Sequence, residues 1–292
     1  MKIQYIEKQF RKNTLTTIDT ANKIIDEYQA QGFSLTLRQL YYQFVARGLI
    51  PNTEQSYSRL GDAINNGRLA GLIDWFAIED RTRWVRGRTH WDSISQILDS
   101  CVSSFHKDMW ENQLYRPQVW IEKDALIGVI EGVCQKYDVD YFACRGYVSQ
   151  SEQWRAGRRF MYYAQNGQQP IVFHLGDHDP SGIDMTRDND ERLDLFSELE
   201  DVEIKRLALN MDQVQQHNPP PNPTKITDSR AGEYIARFGH ESWELDALEP
   251  AYIKQLIEDN IVSLIDHNKW DEKEAEIKEG KDRLRELAEQ NK

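Results

Sequence analysis

Between Gln118 and Leu175 the chain alternates short apolar runs with helical patterns, and this alternation constrains its fold more than any other feature. "QVWI" reads as a strand, "DALIGVIEGVCQKY" as a helix and "VDYFAC" as a strand. "SEQWRAGRRFMYYAQNG" then reads as a helix and "PIVFHL" as a strand. Such alternation implies a parallel sheet with right-handed crossovers, whose ligands bind beyond the carboxyl ends of the strands. Two groups of acids fall at those ends: Glu122 directly after "QVWI", and Asp177 and Asp179 in "GDHDPSG" (Gly176 to Gly182) after "PIVFHL". Three carboxylates meeting at one sheet edge repel one another unless a hard cation sits among them, and Mg²⁺ is the usual choice. "DHDPSG" also matches the start of a calcium loop, but such a loop should follow a helix, and "PIVFHL" reads as a strand. As a third reading, these acids cap the helix that follows.

Before this region the pattern is helical. Residues 13–32 have helical periodicity, and "SLTLRQLYYQFVARG" (Ser34 to Gly48) follows as a second helix. Thr36 and Gln39 have capping-box spacing, Leu35 and Leu40 are placed as a hydrophobic staple, and Gly48 is a suitable stop. On a helical wheel Leu37, Leu40, Tyr41, Phe44 and Val45 share one apolar stripe. Tyr41 therefore belongs to the core, while Tyr42 is expected off the stripe, exposed, with Arg38 four residues before it. An arginine there can hold a phosphate and favour the phenolate of the neighbouring tyrosine, which makes Tyr42 a candidate nucleophile. As a bare surface tyrosine it would need no function. A third helix is expected over residues 55–75, then a hairpin over "AIEDRTRWVRGRTHW" (Ala77 to Trp91), the element order of a winged helix. A further helix is expected over residues 92–110. From Arg38 to Arg88 the basic residues are all arginine, and Arg81, Arg83, Trp84, Arg86 and Arg88 have the composition of a wing that grips a phosphate backbone. A solvated hairpin has the same composition.

The chain of 292 residues carries a formal charge of −12, which by itself argues against a polyanionic partner. The charge is uneven. Residues 1–116 hold 15 Lys and Arg against 13 Asp and Glu, and the remainder holds 21 against 35. Such a split suits a protein that meets a polyanion with one part and holds cations with the other, and equally a solvated acidic surface. Cys101, Cys134 and Cys144 lack zinc-site spacing. No apolar run approaches the roughly 18 residues of a membrane span, and the N-terminus has no signal-peptide core, so an intracellular, cytoplasmic location is expected. The organisation expected is residues 1–112 as a winged-helix-like domain, 113–270 as an α/β domain with C-terminal additions, and 271–292 as a charged helical tail.

Taken together, Arg38-Gln39-Leu40-Tyr41-Tyr42, "VWIEKDA" (Val119 to Ala125), "RGY" (Arg145 to Tyr147) and "GDHDPSG" resemble the A-type, DNA-cleaving component of topoisomerase VI and its relative, the meiotic double-strand-break transesterase. The chain is most similar to minimal, stand-alone forms of that component. The resemblance implies a winged-helix domain that supplies a nucleophilic tyrosine and a Toprim domain that supplies one Glu and a D-x-D pair for Mg²⁺, with Mn²⁺ as an alternative. Residue by residue it implies Tyr42 as nucleophile with Arg38 beside it, Glu122 as the Toprim glutamate, Asp177 and Asp179 as the D-x-D pair, and Arg145 as a basic position after the second strand. "ELDAL" (Glu244 to Leu248) loosely resembles an acidic segment late in the same family. Implied partners are double-stranded DNA, a second copy of the chain whose metal site each tyrosine serves, and a separate ATPase protein, although the chain has little room for an arm to dock one. The implied activity is DNA cleavage with a tyrosyl link to the 5′ end. The alternatives are a hydrolytic Toprim nuclease with no tyrosyl intermediate, and a DNA-binding module with no enzymatic activity.

Overall fold

The computed structural model describes residues 1–79, 88–199 and 202–290. The first 79 residues build three helices: α1 (Lys12–Gln29), α2 (Leu37–Ala46) and α3 (Glu54–Leu69). Thr36 caps α2 through the expected capping box: its hydroxyl accepts the Gln39 amide at 3.3 Å, and Gln39 Oε1 accepts the Thr36 amide at 2.9 Å. Gly48, at φ 66°, takes the left-handed conformation that ends α2, where a side chain would be strained. The third helix stops at Leu69, earlier than its periodicity suggests, because the chain turns back and buries Ile73 against Ile18 and Gly67. Residues 80–87 lie outside the described residues, and with them most of the expected hairpin. Of its described flanks, Ile78 makes a single parallel bridge to Leu35.

A helix α4 (Ile94–Ser104) leads to β1 (Tyr115–Ile121), α5 (Ile127–Lys136), β2 (Asp140–Ala143), α6 (Gln150–Gln165), β3 (Gln169–Leu175), α7 (Pro180–Ser197) and β4 (Glu203–Ala208). α4 is shorter than expected because Phe105 turns into extended backbone and packs against the core beneath the sheet. Among the described residues these strands form one parallel sheet in the order β2-β1-β3-β4. Successive side chains face opposite sides of a strand, and both faces of this sheet are covered. Val119, Ile121, Phe173 and Leu175 join the larger core with α5, while Trp120 and Val172 join Ala156 and Phe160 of α6.

The chain finishes with α8 (Met211–His217), β5 (Asn222–Pro223), α9 (Ala231–Phe238), β6 (Glu241–Ser242), α10 (Pro250–Val262) and α11 (His267–Gln290). β5 and β6 form a short antiparallel pair. The last helix is charged, as its sequence says, yet Trp270 and Ile277 enter the core of the sheet region, and Gly280 lies so close to the ring of Phe105 that a Cβ would overlap it. No helix among the described residues is long and apolar enough to cross a membrane.

α6 and α7 pack closely on one face of the sheet. A Cβ at Gly157 would stand 2.6 Å from the Phe196 carbonyl carbon and 2.8 Å from the Ser197 nitrogen, both backbone atoms. Gly157→Ala must push the helices apart and is expected to cost about 1–3 kcal/mol. Denaturant titration followed by circular dichroism measures this, and an unchanged midpoint would refute the close packing.

Candidate functional site

From β1 the chain crosses to β2 on one side and to β3 on the other, so the order of the sheet reverses between β1 and β3. The crevice beyond such a switch point is where open α/β sheets bind ligands. The two strands end in register, Ile121 opposite Leu175, and the Glu122 amide donates to the Leu175 carbonyl at 2.8 Å. Glu122 therefore leaves the sheet beside Gly176 and Asp177, and its Oε2 accepts the Asp177 amide at 2.8 Å.

The "GDHDPSG" loop is held from three sides. Asp179 caps α7, its Oδ1 accepting the Gly182 amide at 2.6 Å and the Ser181 hydroxyl at 3.0 Å. The capping reading of this acid is therefore realised, and the loop follows a strand, unlike a calcium loop. A Cβ at Gly182 would overlap the Asp177 carbonyl oxygen, so only glycine permits this turn. His178 and Trp243 exchange two backbone hydrogen bonds, at 2.8 and 2.9 Å, which stitch the loop to the segment leading into Glu244. Below the loop, Arg206 of β4 donates to the carbonyls of Gly176 (3.0 Å), Asp177 (2.6 Å) and Gly182 (2.8 Å). It also faces Glu122, Asp177 and Asp179, though burial still lowers its pKa to about 10.

Against this edge stands α2. One cleft of about 850 Å³ is lined by Arg38 and Tyr42 from the helical part and by Lys123, Asp177, Asp179 and Glu244 from the sheet part. Tyr42 and these acids of one chain thus line one cleft. Lys123 is the hub: its Nζ lies 2.9 Å from Asp177 Oδ1, 2.7 Å from Glu244 Oε2 and 3.0 Å from Asp246 Oδ1. Arg38 pairs with Glu244 and, through Nε at 3.2 Å, with the fully buried carboxylate of Asp246.

Tyr42 departs from expectation. Its residue is only 4% exposed, and its ring stands edge-on to Tyr41, 5.3 Å between centroids. One face of α2 packs on α1 and α3, and the other docks on the 3₁₀ turn Leu245–Ala247. Both faces are covered, so Tyr41 and Tyr42 are buried together. The expected effect of Arg38 on acidity is also reversed in sum. Burial, then Asp246 and Glu244, hold the Tyr42 hydroxyl above its ordinary pKa, outweighing Arg38 and Lys123.

Burial also lifts the acids. It raises Glu122, with Asp179 adding to it and the Asp177 amide and Lys123 opposing. Asp177 is pushed up to about 7 by burial, then by Glu122 and Asp246, against Lys123. Glu244 goes the other way: burial would raise it, but Lys123 and Arg38 outweigh burial and bring it down to about 2.

The Mg²⁺ implied by the resemblance can be tested against these residues. The donors are of the right kind, three carboxylates and no sulfur or imidazole, crowded enough to hold excess negative charge. One oxygen of each is pinned by the protein: Glu122 Oε2 by the Asp177 amide, Asp177 Oδ1 by the Leu245 amide and Lys123, and Asp179 Oδ1 by the turn of α7. In this arrangement no group of three or more His, Cys, Asp or Glu side chains among the described residues closes round a metal position. The site fits a hard cation by donor chemistry, and Lys123 and Arg206 place positive charge beside the same acids.

The other expected contacts lie elsewhere. Arg145, at φ 55°, donates its amide to the Glu122 carbonyl at 2.9 Å and pairs with Asp124, also at 2.9 Å. Its exposed side chain does not line the cleft. Arg88 is exposed, and Arg81, Arg83, Trp84 and Arg86 lie outside the described residues. Lys123 and Arg206 were not anticipated. Lys123 follows Glu122 directly in "VWIEKDA", whereas Arg206 sits in "EIKRLA", whose charges hide a strand.

Next to Arg206 lies His174, fully buried, with Nδ1 2.8 Å from the Thr186 hydroxyl and Nε2 without a partner. Burial, assisted by Arg206, lowers its pKa to about 3. Unfolded histidine titrates near 6.5, so between pH 6.5 and 3 the unfolded chain binds a proton that the native chain refuses. Stability is therefore lost as pH falls through that window. In His174→Asn the slope of unfolding free energy against pH should be shallower there by about 1.4 kcal/mol per pH unit, measurable by denaturant titration at several pH values. An unchanged slope would mean that His174 does not stay neutral.

No family model matches this chain, and no curated protein matches it.

Proposed function

We propose that the cleft is a metal-dependent DNA-cleaving centre in which Tyr42 is the nucleophile and the chain acts on double-stranded DNA as a homodimer. The observation that carries this reading is the meeting of Tyr42 and Arg38 with Asp177, Asp179 and Lys123 in one cleft, at the switch point of a parallel sheet. The helical part would be the DNA-binding, winged-helix-like unit and the sheet part a Toprim-type unit. Arg38 and Lys123 would bind the scissile phosphate, exchanging Glu244 and Asp246 for phosphate oxygens. The Tyr42 oxygen would form the new bond to phosphorus as the bond to the 3′ oxygen breaks. The phenolic proton would pass to Glu244, whose acidity relaxes once the phosphate occupies its cations, and the 3′ oxygen would leave as a hydroxyl by taking a proton from solvent water. Glu122, Asp177 and Asp179 would hold Mg²⁺, or Mn²⁺ in its place, which when bound neutralises charge on the phosphoryl oxygens.

A second reading is favoured by one observation, the burial and raised pKa of Tyr42. In it the same acids support hydrolytic cleavage and Tyr42 only positions Arg38, whose guanidinium carbon stands 5.9 Å from its ring centroid. Supercoiled plasmid incubated with protein and Mg²⁺ or Mn²⁺, then stopped with detergent with and without protease, separates the two. Breaks linked to protein and lost in Tyr42→Phe support transesterification. Free-ended breaks that survive Tyr42→Phe but vanish in Glu122→Ala support hydrolysis, and no cleavage under any condition leaves a binding module.

A further inference from the structure

A second groove, of about 770 Å³, opens next to the cleft on the helical part, and the two share Thr53, the residue that caps α3. Lys8, Arg11 and Arg59 stand exposed on its walls, against a single lining acid, Asp62. This is a local excess of positive charge on a chain of net charge −12. Among the cations of the cleft, Arg38 and Lys123 are committed to Glu244, Asp246 and Asp177. Those of the groove are not: among the described residues Arg11 and Arg59 form no ion pair, and Lys8 donates to a neutral acceptor, Asn66 Oδ1, at 2.6 Å. Between them the walls present short neutral hydrogen-bonding side chains, Thr14, Gln55 and Ser56 among them. Phosphate oxygens accept hydrogen bonds from arginine, lysine and small polar side chains of this kind, and such bonds fix position without reading bases. An acidic peptide would meet the same cations but offers no regular backbone charge, and the continuity with the cleft favours a chain of phosphates running through both.

We propose that this groove is a sugar–phosphate track, which holds the duplex arm of DNA leaving the cleft past Thr53, with Arg11, Arg59 and Lys8 on its phosphates. The proposal rests on the reading of the cleft as a DNA-cleaving centre, and it adds a binding surface that lies outside the arginine-rich segment 81–88.

The test is binding of a labelled DNA duplex to the full-length chain, by fluorescence anisotropy over a range of salt concentrations, with Ca²⁺ replacing Mg²⁺. Arg11→Gln together with Arg59→Gln should weaken binding about tenfold, and the dependence of log K on log salt should become shallower by about 0.9 for each phosphate that the protein no longer neutralises. Arg155→Gln with Arg158→Gln on α6 removes the same charge from outside the groove and should leave affinity within about twofold. Equal losses in both pairs would reduce the effect to net charge and overturn the track. A groove pair that binds with wild-type affinity and slope would overturn it too, while leaving the cleft reading intact. If the wild-type chain binds no duplex, the reading of the cleft falls and the track falls with it.

Discussion

Tyr42→Phe will bring protein-linked DNA breaks down to background, a loss of at least about 10³-fold, while the protein remains folded. The substitution removes one oxygen and keeps the ring, so the edge contact with Tyr41 and the position of Arg38 over the ring persist. The other two tyrosines of the cleft are placed differently. Tyr41 shares the cleft, but its hydroxyl is spent on Asn52 Oδ1 at 2.8 Å and the Thr53 carbonyl at 3.2 Å. Tyr57 lines the same cleft and packs its ring edge-on against Tyr41, without an arginine paired to it. The variant should unfold within about 1 kcal/mol of wild type, because it loses only one hydroxyl beside charged neighbours. Detergent-stopped cleavage assays with and without protease, run beside thermal unfolding, check both halves. Full covalent activity in a folded Tyr42→Phe protein would remove the tyrosine from the chemistry.

Arg206→Met is expected to be the most damaging change to the architecture of the site, costing about 3 kcal/mol, or on the order of 10 °C in melting temperature. Its guanidinium donates to the carbonyls of Gly176, Asp177 and Gly182 and to the Thr186 hydroxyl, tying β4 to the loop and to the first turns of α7. It also faces all three carboxylates of the candidate metal site. Methionine fills the volume but supplies neither donors nor charge, so these ties are lost and the carboxylates lose a countercharge. A physical consequence separates this from ordinary core damage. Millimolar Mg²⁺ or Mn²⁺ should restore more stability to Arg206→Met than it adds to wild type, since a cation now replaces a missing one. Thermal unfolding with and without the metal measures this, and equal metal effects on both proteins would count against Arg206 as the internal counter-ion.

The sheet and its acid-bearing edge were legible because two periodicities coincide with their physical cause. Val119, Ile121, Phe173 and Leu175 are apolar on strands covered on both faces, and the acids begin where those strands stop. The burial of Tyr42 was not legible. Periodicity over residues 37–45 marks the stripe that meets α1 and α3, but it cannot show that a turn at Leu245–Ala247, about two hundred residues later, covers the other side. The second contact surface of α2 is polar, built from Arg38, Tyr42 and Gln43, whose Nε2 donates to Glu249 at 3.1 Å, and polar residues carry no burial signal in a hydrophobic pattern. β4 escaped for a related reason: Glu203, Lys205 and Arg206 give it the composition of a loop, and only hydrogen bonding to β3 makes it a strand.

The stitching of His178 to Trp243 also has a temporal meaning. Arg38 and Glu244 are 206 residues apart, Lys123 and Glu244 are 121 apart, and the Asp177 carboxylate receives the amide of Leu245 from 68 residues downstream. During translation the helical part and the first three sheet strands can emerge and pack while Glu244 and Asp246 are still unmade. Closing loops of that length is slow, and the interactions they enable come last. A chain grown only as far as β3 and the loop after it therefore holds tyrosine, lysine and acids without the clasp of Glu244 and Asp246 that sets their charge.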